Sequence, residues 1–365
     1  MIRILQVVNN MHRAGLETML MNYYRNIDRE CVQFDFLVHR DGKSDYDDEI
    51  LSLGGKIYHA PRLFPQNYPR YFRYLKKFFA EHPEYKVIHS HIDSMSYLPL
   101  LAAKKAGVPV RIAHSHNTSI DKDYKYLLKQ IFRFQMNQVA NYRFACGEKA
   151  GEFLFRGKPF QVIPNAIDTS LFLFSEKMRS EKRRELGVES EIVIGHVGRL
   201  SYQKNHKFLI EIFQCFQKKH RNSILLLIGT GEKEEKIRTQ IKSLNLENHV
   251  QMLGSRSDVN ELYQAMDLFL LPSYFEGIPV TGIEAQMSGL PCLFSDKVPG
   301  ETQYTSPCRF LSLKNSPEIW ADECMKLLEQ SEDRACRQSK AIDSPFNIEK
   351  SYALLQNKYI ELNKN

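Results

Sequence analysis

Short apolar runs alternate along the chain with longer segments in which apolar residues recur at helical spacing. The runs lie at residues 2–8, 34–38, 87–91, 192–197, 224–228 and 267–271. Continuous apolar strands separated by amphipathic helices are typical of parallel sheets that are covered on both faces. The pattern therefore predicts an α/β protein with two tandem Rossmann-like, doubly wound domains.

The alternation is interrupted once, and we place the domain boundary there. Residues 164–168 form a turn with two breakers, and a charged segment at residues 176–185 follows. This predicts an N-terminal domain at residues 1–165 and a C-terminal domain at residues 166–345. Residues 346–365 form a last helix whose apolar face needs a surface to pack on.

A chain of 365 residues is long enough for two domains that each bury a core. Seven scattered cysteines without a CxxC motif favour a reduced, cytoplasmic setting over a disulfide framework. The chain reaches Asn9 too soon for a signal peptide, and no apolar run approaches membrane-spanning length. We therefore expect a cytoplasmic protein, and its charge leaves open a peripheral position at the inner face of the cell membrane.

The net charge of +7 is concentrated in the first half, where residues 1–165 carry +8 and the remainder −1. A basic half indicates an anionic partner, either a lipid surface or a charged acceptor, while a solvated basic surface is the alternative. We expect no nucleic-acid partner. Helices predicted at residues 68–81 and 121–139 interleave aromatic and basic residues. Either helix could lie on anionic lipid, but such a stripe more often covers a sheet, as we expect for the first.

The most informative stretch follows the last apolar run. A turn with a glycine leads to a short helix at residues 279–288, where Pro279 suits the first helical position and Gly289 the end. Free N–H groups and the positive helix end make such a turn an anion site. Glu276 in the turn and Glu284 on the helix frame it. A carboxylate fits there only if the ligand also donates hydroxyls, as a nucleotide diphosphate-sugar does.

Two predicted strands end in the same His-Ser-His sequence. Each strand places two histidines on one face, His89 with His91 and His114 with His116. Four histidines at neighbouring strand ends could hold zinc, but no carboxylate or cysteine lies at a helpful spacing. Strand ends of α/β sheets bind polar ligands in any case, and we expect no metal here.

A loop with a glycine follows the first strand of each half. Gly15 precedes a helical pattern, as at the start of a nucleotide-type domain, but GxGxxG is missing, so no nicotinamide or flavin cofactor is indicated. In the second half Gly198 follows a strand directly, with Arg199 and Lys204 close behind it. Cations at that place suit a phosphate group, and an ordinary solvated pair is the alternative.

Together these motifs resemble the retaining glycosyltransferases of family 4, which have the GT-B fold. The resemblance spans essentially the whole chain and is greatest to the branch that builds capsular and exopolysaccharide repeat units on a lipid carrier. The matching segments are residues 275–279, 284–285, 289–291, 198–200 and 203–205, with 114–117 and 165–168 in support. The resemblance implies two Rossmann-like domains facing across a cleft, with the last helix returning to the first domain.

The resemblance also implies roles in binding a nucleotide diphosphate-sugar, for which uridine is the favoured base. Arg199 and Lys204 match the basic pair that holds the donor diphosphate. Glu284 matches the glutamate that binds the ribose, and Glu276 the one that contacts donor-sugar hydroxyls. His116 matches a histidine of the first domain that faces the donor sugar.

The remaining matches concern backbone groups. The amides of Ile278, Val280 and Thr281 are expected to reach the phosphates. Gly15 matches a glycine that approaches a phosphate, and Ala14 replaces the glycine that usually precedes it. Arg256 lies at the position where, in the family, backbone atoms usually hold the base of the donor nucleotide.

The implied reaction is transfer of a hexosyl residue to a glycan or lipid-linked saccharide with retention of anomeric configuration and without a metal cofactor. No Asp-Xaa-Asp motif ends a strand, and the nearest one, at residues 121–123, begins a helical pattern. A double displacement by two carboxylates is rejected because Glu284 lies on the ribose side. Two alternatives stay open: an epimerase or hydrolase of nucleotide-sugars on the same scaffold, and a non-catalytic sugar-nucleotide-binding protein.

Overall fold

The computed structural model describes residues 1–120, 123–330, 333–339 and 342–364. The chain divides into two compact units, Met1–Ala166 with Ile348–Asn365, and Ile167–Asn347. Each unit is built on one parallel sheet, as the alternation of apolar strands and amphipathic helices predicts. Among the described residues, no helix combines the length and apolar character needed to cross a bilayer.

The N-terminal unit contains a seven-stranded parallel sheet in the order β3-β2-β1-β4-β5-β6-β7. Its strands are β1 (Ile2–Val7), β2 (Val32–Val38), β3 (Ile57–His59), β4 (Val87–Ser90), β5 (Val110–Ser115), β6 (Tyr142–Ala145) and β7 (Gln161–Val162). Its first six helices are α1 (Gly15–Asn26), α2 (Asp47–Ser52), α3 (Tyr68–Glu81), α4 (Tyr97–Lys105), α5 (Tyr126–Val139) and α6 (Glu148–Phe155). The order of the strands reverses between β1 and β4, which pair directly.

The C-terminal unit contains a six-stranded parallel sheet in the order β10-β9-β8-β11-β12-β13. Its strands are β8 (Ile192–Val197), β9 (Ser223–Ile228), β10 (Val250–Gly254), β11 (Leu268–Leu271), β12 (Cys292–Ser295) and β13 (Cys308–Leu311). Its helices are α7 (Glu176–Leu186), α8 (His206–Lys219), α9 (Glu234–Ser243), α10 (Val259–Ala265), α11 (Val280–Met287), α12 (Pro317–Leu328) and α13 (Arg334–Ser339). Here the order reverses between β8 and β11.

The last helix, α14 (Ile348–Leu362), packs on α1 and β2 of the N-terminal unit. It buries an apolar stripe that includes Leu355, Tyr359 and Leu362, and the Tyr359 ring meets Phe34 of β2 edge to face at 5.7 Å between centroids. The Tyr359 hydroxyl thereby lies at the polar residues of β1 and β4.

The two basic-aromatic helices differ in what they bury. Helix α3 turns Tyr71, Leu75 and the rings at 78 and 79 into the core, so its stripe covers the sheet as expected. Helix α5 buries a different set and leaves Leu127 and Phe134 exposed. The helix predicted from residue 121 begins at Tyr126, and Asp121 and Lys122 lie outside the described residues.

Some elements were not predicted. Helix α7 lies in the segment noted only as charged, although Ser175 caps its first turn through Met178 N–H and Gly187 ends it at φ +67°. Helices α6 and α13 and the edge strand β13 were also missed. Pro279 is not the first helical residue but precedes it in extended conformation, so its ring sets the approach of the chain to the helix.

Candidate functional site

The C-terminal unit has a candidate site where β8 and β11 are neighbours. Ligands of doubly wound sheets bind outside the carboxyl ends of the strands where the strand order reverses. The loops after β8 and β11 leave that point together and are joined by hydrogen bonds. Tyr274 N–H donates to the Gln203 carbonyl at 2.8 Å, and the Asn205 side-chain amide donates to the Pro272 carbonyl at 3.1 Å.

Lys204 and Glu276, predicted from separate motifs, form one nearly buried ion pair. Lys204 Nζ lies 2.7 Å from Glu276 Oε1, with side-chain exposures of only 13% and 6%. Gln203 Nε2 donates to the other carboxylate oxygen of Glu276 at 3.0 Å. The pair presents a cation and a carboxylate at one place, as a ligand with both phosphate and hydroxyl groups requires.

Glycines shape the loop that carries Arg199. Gly229 has φ +131°, and a β-carbon there would lie 2.2 Å from the Gly198 carbonyl oxygen. A β-carbon on Gly231 would lie 2.5 Å from the Leu200 carbonyl oxygen. The Gly-Thr-Gly sequence is a weak signal by itself, but these contacts show that both positions have room only for glycine.

Arg199 itself is held only loosely. Its side chain is 71% exposed and its guanidinium lies 3.2 Å from Glu232 at the surface. A surface pair of this kind contributes little, so the guanidinium is available to a ligand at small cost.

The start of α11 has the backbone geometry that an anion site requires. The helix begins at Val280, so the amides of Val280 and Thr281 have no acceptor within the helix. Ile278 and Pro279 lead into this turn, and Pro279 has no N–H to offer. Thr281 Oγ1 is buried and has no hydrogen-bond partner within the part of the chain that the structure describes. Unpaired donors at a positive helix end are suited to phosphate oxygens.

Glu284 lies one turn further along α11 and is buried. Tyr263 Oη donates to Glu284 Oε2 at 2.9 Å and to the Thr281 carbonyl at 3.1 Å. Burial raises the pKa of Glu284 to about 7, although the Tyr263 hydrogen bond opposes this shift. With this pKa, Glu284 is partly protonated near neutral pH. A ligand that donates hydroxyl hydrogen bonds to it would favour the charged carboxylate.

The Arg256 side chain pairs with two carboxylates that were not among the predicted site residues. Its guanidinium donates to Asp258 at 2.6 and 2.7 Å and to Glu185 of α7 at 3.3 Å. This network ties the loop after β10 to α7. The Arg256 side chain therefore serves the packing of these two elements.

The N-terminal unit has its own group of candidate site residues, where β1 and β4 are neighbours. Gly15 begins α1 directly after the loop that follows β1. Ala14 before it is extended, with φ −144°, a conformation open to any residue. The replacement of a glycine by Ala14 therefore puts no strain on the backbone of this loop.

The four histidines meet at the ends of β4 and β5. His89 Nε2 lies 3.1 Å from His114 Nδ1, and His91 Nδ1 lies 3.0 Å from His116 Nε2. Burial lowers the pKa of all four imidazoles, that of His116 to about 3. All four rings are therefore neutral at physiological pH, and each carries one N–H and one acceptor nitrogen.

Three of these rings place ligand atoms within 4.8 Å of one another, so His89, His91 and His114 form a group that could hold a metal ion. Their nitrogens are, however, already hydrogen-bonded to neighbouring side chains, with the exception of His114 Nε2. The cluster is thus satisfied by its own hydrogen bonds.

Asp93 is a site residue that was not predicted. It lies half-buried beyond β4 with φ +45°, and its carboxylate accepts from His116 N–H at 2.8 Å and from Asn117 Nδ2 at 2.7 Å. Burial raises the pKa of Asp93 against these two hydrogen bonds. It holds the loop that carries His116, and its position two residues after His91 was the available signal.

Two parallel Rossmann-like sheets, each with polar groups at its switch point, are the architecture of the GT-B fold. The family model for glycosyltransferase family 4 matches residues 13–171, and the model for glycosyl transferases group 1 matches residues 178–343. The chain belongs to the family 4 glycosyltransferases. It is 36% identical to the protein named glycosyltransferase EpsF of Bacillus subtilis over 88% of this chain and 86% of that one.

Two further relatives and one solved structure are also similar to this chain. The capsular polysaccharide biosynthesis glycosyltransferase CapH of Staphylococcus aureus is 26% identical over 94% of this chain and 95% of its own. An Escherichia coli UDP-Gal:alpha-D-GlcNAc-diphosphoundecaprenol alpha-1,3-galactosyltransferase is 27% identical over 58% of each chain. The Anabaena HepE structure with UDP-glucose has a TM-score of 0.83 at 20% identity, covering 99% of this chain and 100% of that one, and shares the fold.

Proposed function

We propose that this protein is a retaining hexosyltransferase of surface polysaccharide synthesis that takes its sugar from a nucleotide diphosphate-sugar, with uridine as the favoured base. The acceptor is a glycan or a lipid-linked saccharide. The observation that carries the proposal is the Lys204–Glu276 pair beside the start of α11, with Glu284 one turn away. The E. coli relative, named for a UDP-sugar donor and a lipid diphosphate acceptor, supports both classes of substrate.

In this proposal the C-terminal unit binds the donor. Lys204 and Arg199 stabilise the negative charge that develops on the leaving diphosphate, because cations beside that charge favour the transition state over the ground state. Thr281 and the first amides of α11 hold phosphate oxygens. Glu284 accepts from the ribose, and Glu276 accepts from the transferred sugar after Lys204 turns to the phosphate.

The acceptor hydroxyl attacks on the face of the leaving group, and a donor phosphate oxygen takes its proton. His116 hydrogen-bonds a hydroxyl of the sugar or of the acceptor. A glycosidase-like double displacement is not favoured, because it needs two carboxylates at the reacting carbon and Glu284 is buried against Tyr263. No metal cofactor is required in this scheme, since cationic side chains and a helix end replace it.

The test is a calorimetric screen of nucleoside diphosphates, then of nucleotide-sugars, followed by transfer assays with and without EDTA. We expect UDP to bind most tightly, transfer to survive EDTA, and the product to keep the anomeric configuration of the donor. Hydrolysis or epimerisation of the donor without an acceptor would contradict transfer. Tight donor binding with no turnover across lipid-linked and free oligosaccharides would indicate a binding protein.

An enzyme with a lipid-linked acceptor must reach the membrane, and the exposed apolar residues along α5 are suited to contact it. Tyr124, Leu127, Ile131 and Phe134 recur at helical spacing and are 74%, 75%, 49% and 54% exposed. Arg156 lies over the Phe134 ring at 3.8 Å, and Arg133 is adjacent to it. We propose that this apolar stripe with its bordering cations, called the α5 surface, docks on anionic lipid.

We expect the protein to sediment with phosphatidylglycerol vesicles at low salt and less at high salt, because exposed charges are screened. The L127E variant should lose most of this binding. L51E is the matched control, since Leu51 is 56% exposed on α2 of the same unit. Absence of vesicle binding at both salt concentrations, or equal loss in both variants, would contradict docking through the α5 surface.

A further inference from the structure

The histidines are the ends of two hydrogen-bonded branches that start from one pair of side chains. Gln6 of β1 donates through Nε2 to Tyr359 Oη of α14 at 3.1 Å. One branch runs from Tyr359 Oη to His89 Nδ1 at 2.6 Å and from His89 Nε2 to His114 Nδ1. The other runs from Gln6 Oε1 to His91 Nε2 at 2.8 Å and from His91 Nδ1 to His116 Nε2.

The direction of every proton in the second branch follows from Gln6. An amide oxygen only accepts, so His91 Nε2 must donate to Gln6 Oε1. A neutral imidazole has one N–H, which leaves His91 Nδ1 as an acceptor. His116 Nε2 must then be the donor, and His116 Nδ1 keeps a free lone pair.

The direction of the first branch follows from the same orientation of the Gln6 amide. The Tyr359 oxygen accepts from Gln6, and its hydroxyl proton is then directed to His89 Nδ1. His89 Nε2–H donates to His114 Nδ1, so His114 carries its proton on Nε2, the buried nitrogen without a partner among the described residues. The opposite orientation of the Gln6 amide would reverse every proton in both branches.

His116 is the member of this set that is not fully buried, whereas His89, His91 and His114 are at most 2% exposed. The network therefore ends at the one ring that a ligand can reach. We propose that Gln6 and Tyr359 are positioning residues, which lock His116 as the Nε2–H tautomer so that its Nδ1 accepts a hydrogen bond from a substrate hydroxyl. The identity of that hydroxyl rests on the proposed glycosyl transfer, whereas the tautomer does not.

The test uses Y359F in the full chain, because this change removes one hydroxyl and keeps the ring that packs on Phe34. Nitrogen-15 NMR of the histidine rings should show His116 with an unprotonated Nδ1 in the wild type. In Y359F, Gln6 loses its acceptor and His116 should become a mixture of tautomers. Transfer kcat should fall roughly tenfold with little change in KM for the donor, the size expected for one lost hydrogen bond.

The matched control is Y24F, because Tyr24 is also fully buried in this unit but its hydroxyl donates to the Leu53 carbonyl, at 3.2 Å, and not to the histidine network. It should change neither the His116 tautomer nor kcat. A protonated Nδ1 on wild-type His116, or an unchanged tautomer in Y359F, would overturn the proposal even if no transfer activity exists. Stoichiometric binding of Co²⁺ that is lost in H89Q would also overturn it, since the rings would then be metal ligands.

Discussion

Replacing Lys204 by alanine should lower the rate of glycosyl transfer at least about a hundredfold, the usual loss for one preorganised transition-state contact. Lys204 Nζ is held at the switch point between β8 and β11, where the leaving diphosphate is proposed to lie. Its charge counts there because the side chain is only 13% exposed and solvent screens it weakly.

Glu276→Ala should have an effect of similar size, because the same change removes the acceptor for the sugar hydroxyls and the partner of Lys204. The two losses should not add in the double variant, since the residues form one ion pair and share the same ligand. A double-mutant cycle measures this coupling from the steady-state rates of the wild type, the two single variants and the double variant.

Lys207→Ala is the matched control for charge, because Lys207 lies three residues further along but is 81% exposed and faces Glu211. It should leave transfer unchanged, and circular dichroism should show that all variants remain folded. Wild-type rates in both Lys204→Ala and Glu276→Ala would refute this site assignment.

The difference in free energy of unfolding between Glu284→Gln and the wild type should be about 3 kcal/mol more favourable to the variant at pH 8 than at pH 4.5. This corresponds to roughly a hundredfold in the unfolding equilibrium. The native pKa of Glu284 is raised to about 7, above the ordinary glutamate value of 4.5. The native state therefore holds this proton more tightly than the unfolded chain does. Its stabilising contribution is complete below pH 4.5 and is lost as pH rises to 7.

Glutamine imitates the protonated carboxyl and does not titrate, so the variant should escape this loss. Urea unfolding of both proteins at several pH values measures the difference in free energy of unfolding. Glu235→Gln on α9 is the control, because Glu235 is exposed, and its difference from the wild type should stay flat. A flat difference for Glu284→Gln as well would show that Glu284 is ionised in the native state at low pH.

The sequence indicated the residues that the structure places together around the carboxyl ends of β8 and β11. Lys204, Glu276, Thr281 and Glu284 all belong to short segments in which a strand runs into a turn and a helix. Such local geometry follows from nearby residues, and parallel strands bring their carboxyl ends to one edge. The sequence could not show that Lys204 and Glu276 pair with each other, because residues 72 positions apart meet only through the sheet.

The N-terminal half was predicted less completely. The repeated His-Ser-His sequence indicated four polar rings at neighbouring strand ends, and the structure joins them in pairs. Gln6, Asp93 and Tyr359 were missed as members of this group. Each is one polar residue in an otherwise ordinary strand, turn or helix, and 353 positions separate Gln6 from Tyr359.

The sequence by itself determined two parallel α/β sheets, most of their strands, and the residue types around the start of α11, because apolar periodicity and turn chemistry are local properties. Only the tertiary structure decided which charges neutralise one another and how the buried histidines are protonated. It also decided that α3 is a core helix while α5 exposes its stripe. These outcomes depend on burial and on distant partners, and neither is encoded at any single position.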